Sequence, residues 1–458
     1  MSKYKSKRVL IVGFGVSGVA VAKYMIKQGA KVLISEQKQN TEVLESVKAL
    51  EDYKVEYEFG GHNPRSFLGA ELIVVSPGVP LTLPVLQEAK AQNIPITTEV
   101  DLAAMALKEP LISVTGTNGK TTTTLLIGEI FKADQRPVYV GGNIGKPLLD
   151  YITEGQRADY VVSELSSFQI DLIEKLVPAV AVFTNIDQDH LDRYPTFEAY
   201  VESKKRLLKV CDRNSFVILN YDDPIVQKFS EQTSGKVLWF TKKNPLEVGG
   251  EFSETYTGAY LRDKQIIFKF MGNEEVYNLS KLRLFGDHNK ENLMAAICAA
   301  RAMGIRPASI QKVIDEFRGV PHRLEFVRKK DGVYFFNDSK ATNVMSVQKS
   351  LGAFKKSPVI LISGGKDKEM DFSPLAELVR KRCKIIILIG EAKEKINRAL
   401  GDYAETYLVG TFEEAVILSY QKSRSGDIIL LSPGCASYDM FRNFEERGDY
   451  FKKIVQSL

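Results

Sequence analysis

The sequence contains few of the residues that build disulfide frameworks or zinc sites, with four cysteines and four histidines among 458 residues. The cysteines are far apart and form no CxxC pair, and the histidines form neither HxH nor HExxH. Zinc ligands usually occur at such short spacings, and disulfide-rich chains are usually short and secreted. The sequence therefore predicts reduced, buried thiols in a cytoplasmic protein.

Long apolar runs and a large net charge are also absent. No apolar stretch is long enough to cross a bilayer, and the first one, Val9–Val12, has the length of a strand and leads into a glycine loop. The 62 basic and 57 acidic side chains leave a formal charge of +5, which is small for this length. We therefore expect small-molecule partners, with no membrane and no nucleic acid among them. We also expect a monomer.

Strand-like and helix-like segments alternate along the chain, which is typical of α/β folds with parallel sheets. A chain of this length needs more than one core. We predict three domains, each a mostly parallel, doubly wound sheet: a Rossmann-like domain over residues 1–109, a P-loop-type central domain over 110–319 and a Rossmann-like domain over 320–458. Residues 242–260, rich in Gly, Glu and Thr, are predicted to form a loop or a β-hairpin.

The stretch TGTNGKTT, residues 115–122, has the composition of a phosphate-binding loop. It follows a strand-like run, Leu111–Val114, and precedes a helical pattern. A strand, a glycine turn and a helix in that order direct backbone N–H groups and the positive end of the helix at phosphates, while Lys120 adds a charge and Thr121 a hydroxyl for magnesium. The spacing departs from the standard P-loop, because Val114 stands where that motif has its first glycine. We predict a nucleoside triphosphate site.

A second glycine turn, GFGVSG at residues 13–18, follows the first predicted strand. Glu36, at the end of the next strand, lies about where dinucleotide-binding domains carry a ribose-binding acid. Taken alone this pattern favours a dinucleotide, although any nucleotide with a diphosphate can use the same turn. The loop Ser76-Pro77-Gly78, at the end of a later strand, fits the crevice in which open α/β sheets bind ligands.

Polar side chains follow two predicted strands of the central segment. Glu164 follows one of them, and residues 185–192, which include three aspartates and His190, follow the next. A carboxylate at a strand end beside a phosphate loop suits a magnesium ion. His288 and His322 stand in polar strings, and the residues alone leave open whether these two histidines are structural or contact a nucleotide.

Several strings together resemble the Mur ligase family, which also includes folylpolyglutamate synthases. The phosphate loop, the string SELSSFQ around Glu164, the string DHLDRY from Asp189 and the string GDHNKEN at 286–292 match blocks of that family. Within it, NDSKATN at 337–343 and SPGCAS at 432–437 resemble the branch that adds D-glutamate. The resemblance covers essentially the whole chain.

The resemblance implies an ATP-dependent amide ligase of peptidoglycan precursor synthesis. ATP would phosphorylate the carboxylate of UDP-N-acetylmuramoyl-L-alanine, and the amine of D-glutamate would attack the acyl phosphate. Residues 1–109 would then bind the UDP substrate, 110–319 ATP and 320–458 D-glutamate. The implied cofactors are ATP and two Mg²⁺ ions.

The same resemblance implies the catalytic residues Lys120, Glu164, His190 and Lys204. Lys120 would stabilise the charge of the transferring phosphate. Thr121 and Glu164 would hold one magnesium ion and His190 the second. Lys204 aligns with a lysine that is carbamylated in this family, a change that converts an ammonium into an anionic magnesium ligand. The adjacent Lys205 is the alternative.

The remaining site residues follow from the same matching. The residues implied to bind ATP are Gly116, Thr117, Asn118, Gly119, Lys120, Thr121, Thr122, Asn289, Asn292, Arg323 and Asp338. Those implied to bind the UDP substrate are Phe14, Ser17, Ser76, Pro77, Gly78, Asn143 and His190. Those implied to bind D-glutamate are Lys340, Thr342, Lys368, Ser437 and Phe444, with Lys366 as the alternative to Lys368.

One departure from the family pattern concerns the uracil ring. Better-known members carry Asp-Thr-Arg after the second strand, where this chain has Ser35-Glu36-Gln37. The side chains that contact uracil are therefore not predicted by the matching.

Other functions leave motifs of this chain without a role. A regulatory or transport ATPase needs only the phosphate loop, and a dehydrogenase leaves that loop idle. A family member with another amino-acid substrate is disfavoured by the DSKATN string. We therefore expect the D-glutamate-adding activity that the resemblance implies.

Overall fold

The structure is a computed structural model that describes residues 2–190, 193–282, 284, 287–354, 357–367 and 370–458. The described strands form sheets of five, nine and six strands. The chain divides into two compact units, the first spanning Met1–Lys281 with Lys290–Asp315 and the second spanning Leu282–Asn289 with Glu316–Leu458. The prediction of three mostly parallel α/β sheets is confirmed.

The N-terminal part of the first unit alternates strands and helices: β1 (Arg8–Val12), α1 (Val16–Lys27), β2 (Lys31–Glu36), α2 (Thr41–Lys48), β3 (Val55–Phe59), α3 (Pro64–Leu68), β4 (Leu72–Val75), α4 (Pro84–Ala91), β5 (Ile96–Thr97) and α5 (Glu99–Ala106). The strands pair in parallel in the order β3-β2-β1-β4-β5. The strand order reverses between β1 and β4, and such a switch point opens a crevice at the carboxyl ends of the strands. The 13–18 turn and the 76–78 loop both leave the sheet there.

The central part of the chain contains β6 (Leu111–Thr115), α6 (Lys120–Ala133), β7 (Val138–Gly142), α7 (Leu148–Thr153), β8 (Tyr160–Glu164), α8 (Ser167–Ile170), β9 (Val180–Phe183), α9 (Phe197–Lys209), β10 (Phe216–Asn220), α10 (Pro224–Gln227), β11 (Lys236–Thr241), α11 (Pro245–Val248), α12 (Gly250–Thr255), β12 (Gly258–Arg262), β13 (Gln265–Phe270), β14 (Asn273–Asn278), α13 (Asp287–Ala302) and α14 (Pro307–Glu316). Its sheet has the order β14-β13-β12-β11-β10-β9-β6-β8-β7. Pairing is parallel up to β12 and antiparallel in the β12-β13-β14 meander. The strands β6 and β9 at its centre are buried throughout, as expected for strands covered on both faces.

The prediction of a loop or β-hairpin over residues 242–260 is wrong for most of that segment, which contains α11 and α12. Asn244 caps α11 by accepting a hydrogen bond from the Leu246 N–H, and Pro245 occupies the first helical turn. This arrangement is a standard helix start. Gly249, with a φ of 71°, separates the two short helices.

The second unit contains β15 (Glu325–Lys330), β16 (Val333–Asn337), α15 (Val344–Ala353), β17 (Val359–Gly364), α16 (Ala376–Arg382), β18 (Cys383–Ile389), α17 (Lys393–Leu400), β19 (Glu405–Leu408), α18 (Phe412–Gln421), β20 (Ile428–Leu431) and α19 (Phe444–Ser457). The sheet order is β15-β16-β20-β17-β18-β19, with only β15 antiparallel to its neighbour among the described strands of this sheet. Apolar cores lie on both of its faces.

The thiols agree with the character inferred from composition. Cys211, Cys298, Cys383 and Cys435 are all buried free thiols, as predicted. Within the described ranges, no helix combines the length and the apolar character needed to cross a bilayer.

Candidate active site

The turn between β6 and α6 is a tight glycine loop that leads into the start of α6. Gly119, with a φ of 83°, precedes Lys120, the first residue of α6. A Cβ at Gly116 would lie 1.9 Å from Thr184 Oγ1, and one at Gly119 would lie 2.2 Å from Asn292 Oδ1. Neither position can therefore carry a side chain in this packing. The Lys120 ammonium donates to the carbonyl oxygens of Gly116, at 3.0 Å, and Thr117, at 2.8 Å, so its charge lies over the loop.

The chain after β9 holds this loop in place. The Asn185 carbonyl accepts from the Thr117 N–H, and the Asn185 side chain accepts from the Asn118 N–H, each at 2.8 Å. Thr184 Oγ1 donates to the Asn118 carbonyl at 2.6 Å. Two of the backbone N–H groups expected to face phosphates therefore already donate hydrogen bonds within the protein. Their role in this structure is to shape the loop.

The other predicted loop residues lie in the first turn of α6. Thr121 and Thr122 are half-buried there. Asn292, in the second turn of α13, is buried and accepts a hydrogen bond from Thr123 Oγ1 at 3.3 Å. Asn289 lies one turn earlier on the same helix and is half-buried.

Glu164, the last residue of β8, carries a buried carboxylate with spare acceptor capacity. Its Oε1 accepts from Asn143 Nδ2 at 2.8 Å, and its carbonyl accepts from the Asn143 N–H at 2.9 Å. Oε2 is buried and has no hydrogen-bond partner in the described part of the chain. A buried, unpartnered carboxylate oxygen is unfavourable unless a cation or proton binds it. The position therefore suits a hard cation such as Mg²⁺.

Across the residues that the structure describes, no group of three or more His, Cys, Asp or Glu side chains could hold a metal ion. Such protein-only cages are typical of zinc and calcium. Magnesium is more often held by one or two carboxylates together with substrate phosphates and water. Asp192, one of the aspartates of the 185–192 string, lies outside the described residues.

Lys204 lies under the phosphate loop, on the inner face of α9. Its side chain is 1% exposed, and Nζ donates to the Gly116 carbonyl at 2.9 Å. Burial, followed by the positive charge of Lys120, lowers the pKa of Lys204 to about 7. Lys205 lies elsewhere on the helix, where its ammonium pairs with Glu202 at 2.7 Å. The two candidate lysines therefore have very different environments.

Tyr200, which the sequence did not single out, links three predicted site residues. Its hydroxyl lies 2.9 Å from Thr117 Oγ1, and its ring lies 4.8 Å beneath the Lys204 ammonium and 6.2 Å from the His190 ring. Burial raises its pKa to about 12, so the phenol stays neutral. The i, i+4 spacing of Tyr200 and Lys204 is the signal that places them on one helix face.

His190 lies partly exposed beside this cluster, with a φ of 53°. Its ring packs on Phe168 at 4.7 Å between centroids, and Nε2 is 3.7 Å from an Asp189 carboxylate oxygen.

The Arg193 guanidinium lies over the Phe168 ring, 4.6 Å from its centroid. The Arg193 guanidinium also donates to the carbonyl of Gly78, at 3.0 Å, and to that of Val79, at 2.7 Å. Arg193, which was not identified from the sequence, thus connects the 76–78 loop and the adjoining Val79 to the segment between β9 and α9.

The 13–18 turn and the 76–78 loop are in direct contact. Ser76 Oγ donates to the Gly13 carbonyl at 2.9 Å, and a Cβ at Gly13, whose φ is 89°, would lie 2.8 Å from Val79. Pro77 and Ser17 are half-buried, and Gly78 is exposed. The structure brings all of these predicted residues to the crevice at the switch point.

Phe14 differs in that its side chain is 2% exposed and belongs to the core. Its N–H donates to Glu36 Oε2 at 2.8 Å, while Glu36 Oε1 accepts from the Lys38 N–H at 2.8 Å. The acid considered as a ribose ligand is thus engaged by the protein backbone. No dinucleotide contact follows from it.

In the second unit, Lys340 and Thr342, which are predicted to bind D-glutamate, follow β16, Ser437 follows β20, and Phe444 begins α19. The Lys340 ammonium lies 5.1 Å from the Phe444 ring centroid, and the Thr342 N–H donates to the Lys340 carbonyl. Ser437 is buried. Lys368 lies outside the described residues. Its alternative, Lys366, pairs with a glutamate at 2.8 Å.

Arg447, another residue missed from the sequence, joins these loops. It is fully buried and donates to Ser339 Oγ at 2.9 Å, to the Ser339 carbonyl at 2.8 Å, and to the carbonyls of Cys435 and Ala436. Burial lowers its pKa to about 10, which still leaves it charged at neutral pH. No local pattern reveals this role, because its partners are about 10 and 110 residues away along the chain.

Asp338, predicted to lie near the ATP ribose, has a buried carboxylate. It accepts from Ser432 Oγ at 2.8 Å, from the Leu324 N–H at 3.1 Å and from Ser350 Oγ, and burial raises its pKa to about 6. The side chain of Arg323, also predicted to bind ATP, is exposed.

The two histidines left open by the sequence have different environments. His322 is buried and hydrogen-bonded to a side-chain amide, which indicates a structural role. His288 lies exposed in the first turn of α13.

Family models match three consecutive parts of the chain. The N-terminal domain described as Mur ligase MurD-like matches residues 7–98, the Mur ligase middle domain matches 114–300 and the Mur ligase glutamate ligase domain matches 322–435.

Among whole proteins, the UDP-N-acetylmuramoylalanine–D-glutamate ligase of Bdellovibrio bacteriovorus is 43% identical over 466 residues, covering 100% of this chain and 99% of its own. The ligase of the same name from Geotalea uraniireducens is 43% identical over 453 residues, covering 99% and 98%. Among solved structures, the MurF ligase of Thermotoga maritima in complex with ADP gives a TM-score of 0.57 at 17% identity, covering 93% of this chain and 95% of its own. A pseudomurein peptide ligase type C from Methanothermus fervidus gives 0.56 at 21%, covering 99% and 100%. These two structures agree with the fold.

Proposed function

Because the chain belongs to the Mur ligase family, we propose that it catalyses the ATP-dependent addition of D-glutamate to UDP-N-acetylmuramoyl-L-alanine, an amide-forming step of peptidoglycan precursor synthesis. The observation that carries this proposal is the full-length likeness to ligases named for that reaction. The site supports it, since a phosphate loop, a buried carboxylate and a buried lysine converge in the first unit.

The first chemical step is phosphoryl transfer to the substrate carboxylate. A carboxylate oxygen forms a bond to the terminal phosphorus of ATP, the bond to ADP breaks, and an acyl phosphate results. The Lys120 ammonium, over the loop, offsets the negative charge of the transferring group. The rigid turn around Gly116 and Gly119 keeps that charge in one place, which limits reorganisation during transfer.

Glu164 and Thr121 are the residues that would hold one magnesium ion. His190 and a carbamylated Lys204 would hold a second magnesium ion. Bound magnesium would neutralise phosphate charge and orient the phosphates. The unpartnered Glu164 oxygen supports the first assignment. The lowered pKa of Lys204 supports the second, because only a neutral amine reacts with carbon dioxide.

The second step is attack by the amine of D-glutamate on the acyl carbon. The C–O bond to phosphate breaks, phosphate leaves with the electron pair, and the proton that the amine loses as the amide forms passes to solvent water. Lys340 and Ser437 would bind the carboxylates of D-glutamate, and Phe444 holds the Lys340 side chain through its ring. Arg447 keeps the loops that carry these residues together.

The test measures phosphate release from ATP and magnesium with UDP-N-acetylmuramoyl-L-alanine, offering D-glutamate, L-glutamate and L-lysine separately. We expect release that depends on D-glutamate, with an amide product of matching mass. Release with another amino acid instead would overturn the proposed specificity, and no release with any of them would overturn the proposed activity. A monomeric state and a cytoplasmic location remain predictions.

A further inference from the structure

The carboxyl ends of three neighbouring strands meet beside the 13–18 turn. β2 lies between β1 and β3, and Glu36 pairs in register with Phe59. Phe14 follows β1 with only Gly13 between them. The side chains at these strand ends therefore form one edge of the crevice, next to the turn assigned to the diphosphate.

Two polar side chains at this edge, those of Ser35 and Glu36, are occupied within the protein. Ser35 is fully buried, and its hydroxyl lies 2.8 Å from His62 Nδ1. Both Glu36 carboxylate oxygens accept backbone N–H groups, from Phe14 and Lys38. Releasing either Glu36 oxygen to a ligand would leave a backbone donor without its partner, which is unfavourable.

The aromatic side chains have a different arrangement. Phe59 stacks on Phe14 at 6.5 Å with an interplanar angle of 24°, and on Tyr57 at 5.5 Å and 28°. Phe14 is buried, but Phe59 is 37% exposed. Two neighbouring rings thus hold Phe59 in one orientation while more than a third of it stays accessible. An exposed, pre-oriented ring is a suitable surface for a planar heterocycle.

We propose that Phe59 is the stacking surface for the uracil ring of the UDP substrate, and that stacking replaces the charged side-chain contact that Ser35-Glu36-Gln37 cannot supply. This inference rests on the proposed function, which provides the uridine nucleotide. Glu36 acts as a positioning residue: by holding the Phe14 amide it fixes the buried ring on which Phe59 rests.

The test compares UDP binding by calorimetry, and the Michaelis constant for UDP-N-acetylmuramoyl-L-alanine, among wild type, Phe59→Ala, Phe59→Leu and Phe59→Tyr. Stacking on an aromatic ring predicts a loss of roughly 5- to 150-fold in UDP affinity for the alanine and leucine variants, with kcat little changed. The tyrosine variant keeps the ring and should bind like wild type. The matched control is Tyr403→Ala, which removes a ring of similar exposure, 39%, in the second unit.

Leucine separates stacking from simple packing, because it fills space without offering a π-face. Wild-type affinity in both Phe59→Ala and Phe59→Leu would overturn the inference, and so would wild-type affinity in Phe59→Leu alone. If the wild-type protein itself bound no UDP and formed no product, the proposed function would be wrong. If wild type bound UDP and the Phe59 variants bound it equally well, only the stacking role of Phe59 would be wrong.

Discussion

Replacing Lys204 should abolish ligation in a way that a small carboxylic acid repairs. The amine of Lys204 lies in contact with the phosphate loop, 2.9 Å from the Gly116 carbonyl, and is 1% exposed. If it becomes a carbamate, Lys204→Ala removes an anionic magnesium ligand and leaves a cavity of matching size. Formate or acetate can enter that cavity and supply a carboxylate.

The expected reactivity follows from the lowered pKa. With a pKa of about 7, roughly three quarters of the Lys204 amines are neutral at pH 7.5, whereas a lysine of ordinary pKa is neutral in about one molecule in a thousand. Carbamate formation is therefore favoured by about 10²- to 10³-fold over an exposed lysine at equal carbon dioxide concentration. Part of the effect comes from the charge of Lys120, so Lys120→Ala should raise the pKa of Lys204.

The assay has two parts. Nuclear magnetic resonance with isotopically labelled bicarbonate should show a carbamate carbonyl in wild type and in Lys205→Ala, but not in Lys204→Ala. Ligation by Lys204→Ala should fall by at least about 100-fold, since an anionic group beside the metal is lost, and should recover partly with millimolar formate or acetate. Lys205→Ala is the matched control, because it removes a neighbouring ammonium on the same helix whose contacts are different: a pair with Glu202 at 2.7 Å and the Phe229 ring at 5.8 Å.

Three results would refute this reasoning. The first is rescue of Lys205→Ala, and not of Lys204→Ala, by carboxylic acids. The second is full activity of Lys204→Ala without added acid. The third is the lack of any carbamate signal in a wild-type enzyme that stays fully active in carbon dioxide-free buffer.

Three further predictions concern separate parts of the molecule. Lys120→Ala should abolish product formation while the UDP substrate still binds in calorimetry; loss of that binding in a folded variant would contradict the separation of the two sites. Arg193→Ala breaks two hydrogen bonds to the carbonyls of Gly78 and Val79, each worth about 1–3 kcal/mol, and should raise the Michaelis constant for the UDP substrate at least tenfold while kcat changes less; an unchanged Michaelis constant would argue against a positioning role. Glu99 is fully buried, and burial raises its pKa from 4.5 to about 7, so the folded state keeps a proton that the unfolded chain releases over this range. The free energy of unfolding should therefore fall by about 3 kcal/mol as the pH rises from about 4.5 to 7, and Glu99→Gln should flatten this decline in urea titrations; the same slope in the variant would exclude Glu99 as its source.

Much of the fold was predictable because its signals are local. Apolar runs of strand length, each followed by a glycine or polar turn and a helical pattern, predicted the parallel sheets and the placement of the phosphate loop between β6 and α6. The strings around Glu164 and Lys340 are long enough to identify the family. The 242–260 segment was misread because its glycine-rich composition outweighed the short helix-start signal of Asn244 and Pro245.

The sequence by itself determined the order of the domains and the family, and it predicted a set of site residues. Only the tertiary structure decided what those residues can do. Lys204 and Lys205 are equivalent in sequence, and they differ because one packs beneath a loop 88 residues earlier in the chain while the other pairs with Glu202 on its own helix. Tyr200, Arg447 and the engaged carboxylate of Glu36 are likewise defined by long-range partners. Burial and charge proximity, which set pKa values and hydrogen-bond capacity, arise when distant segments pack together, and a local pattern carries no record of that packing.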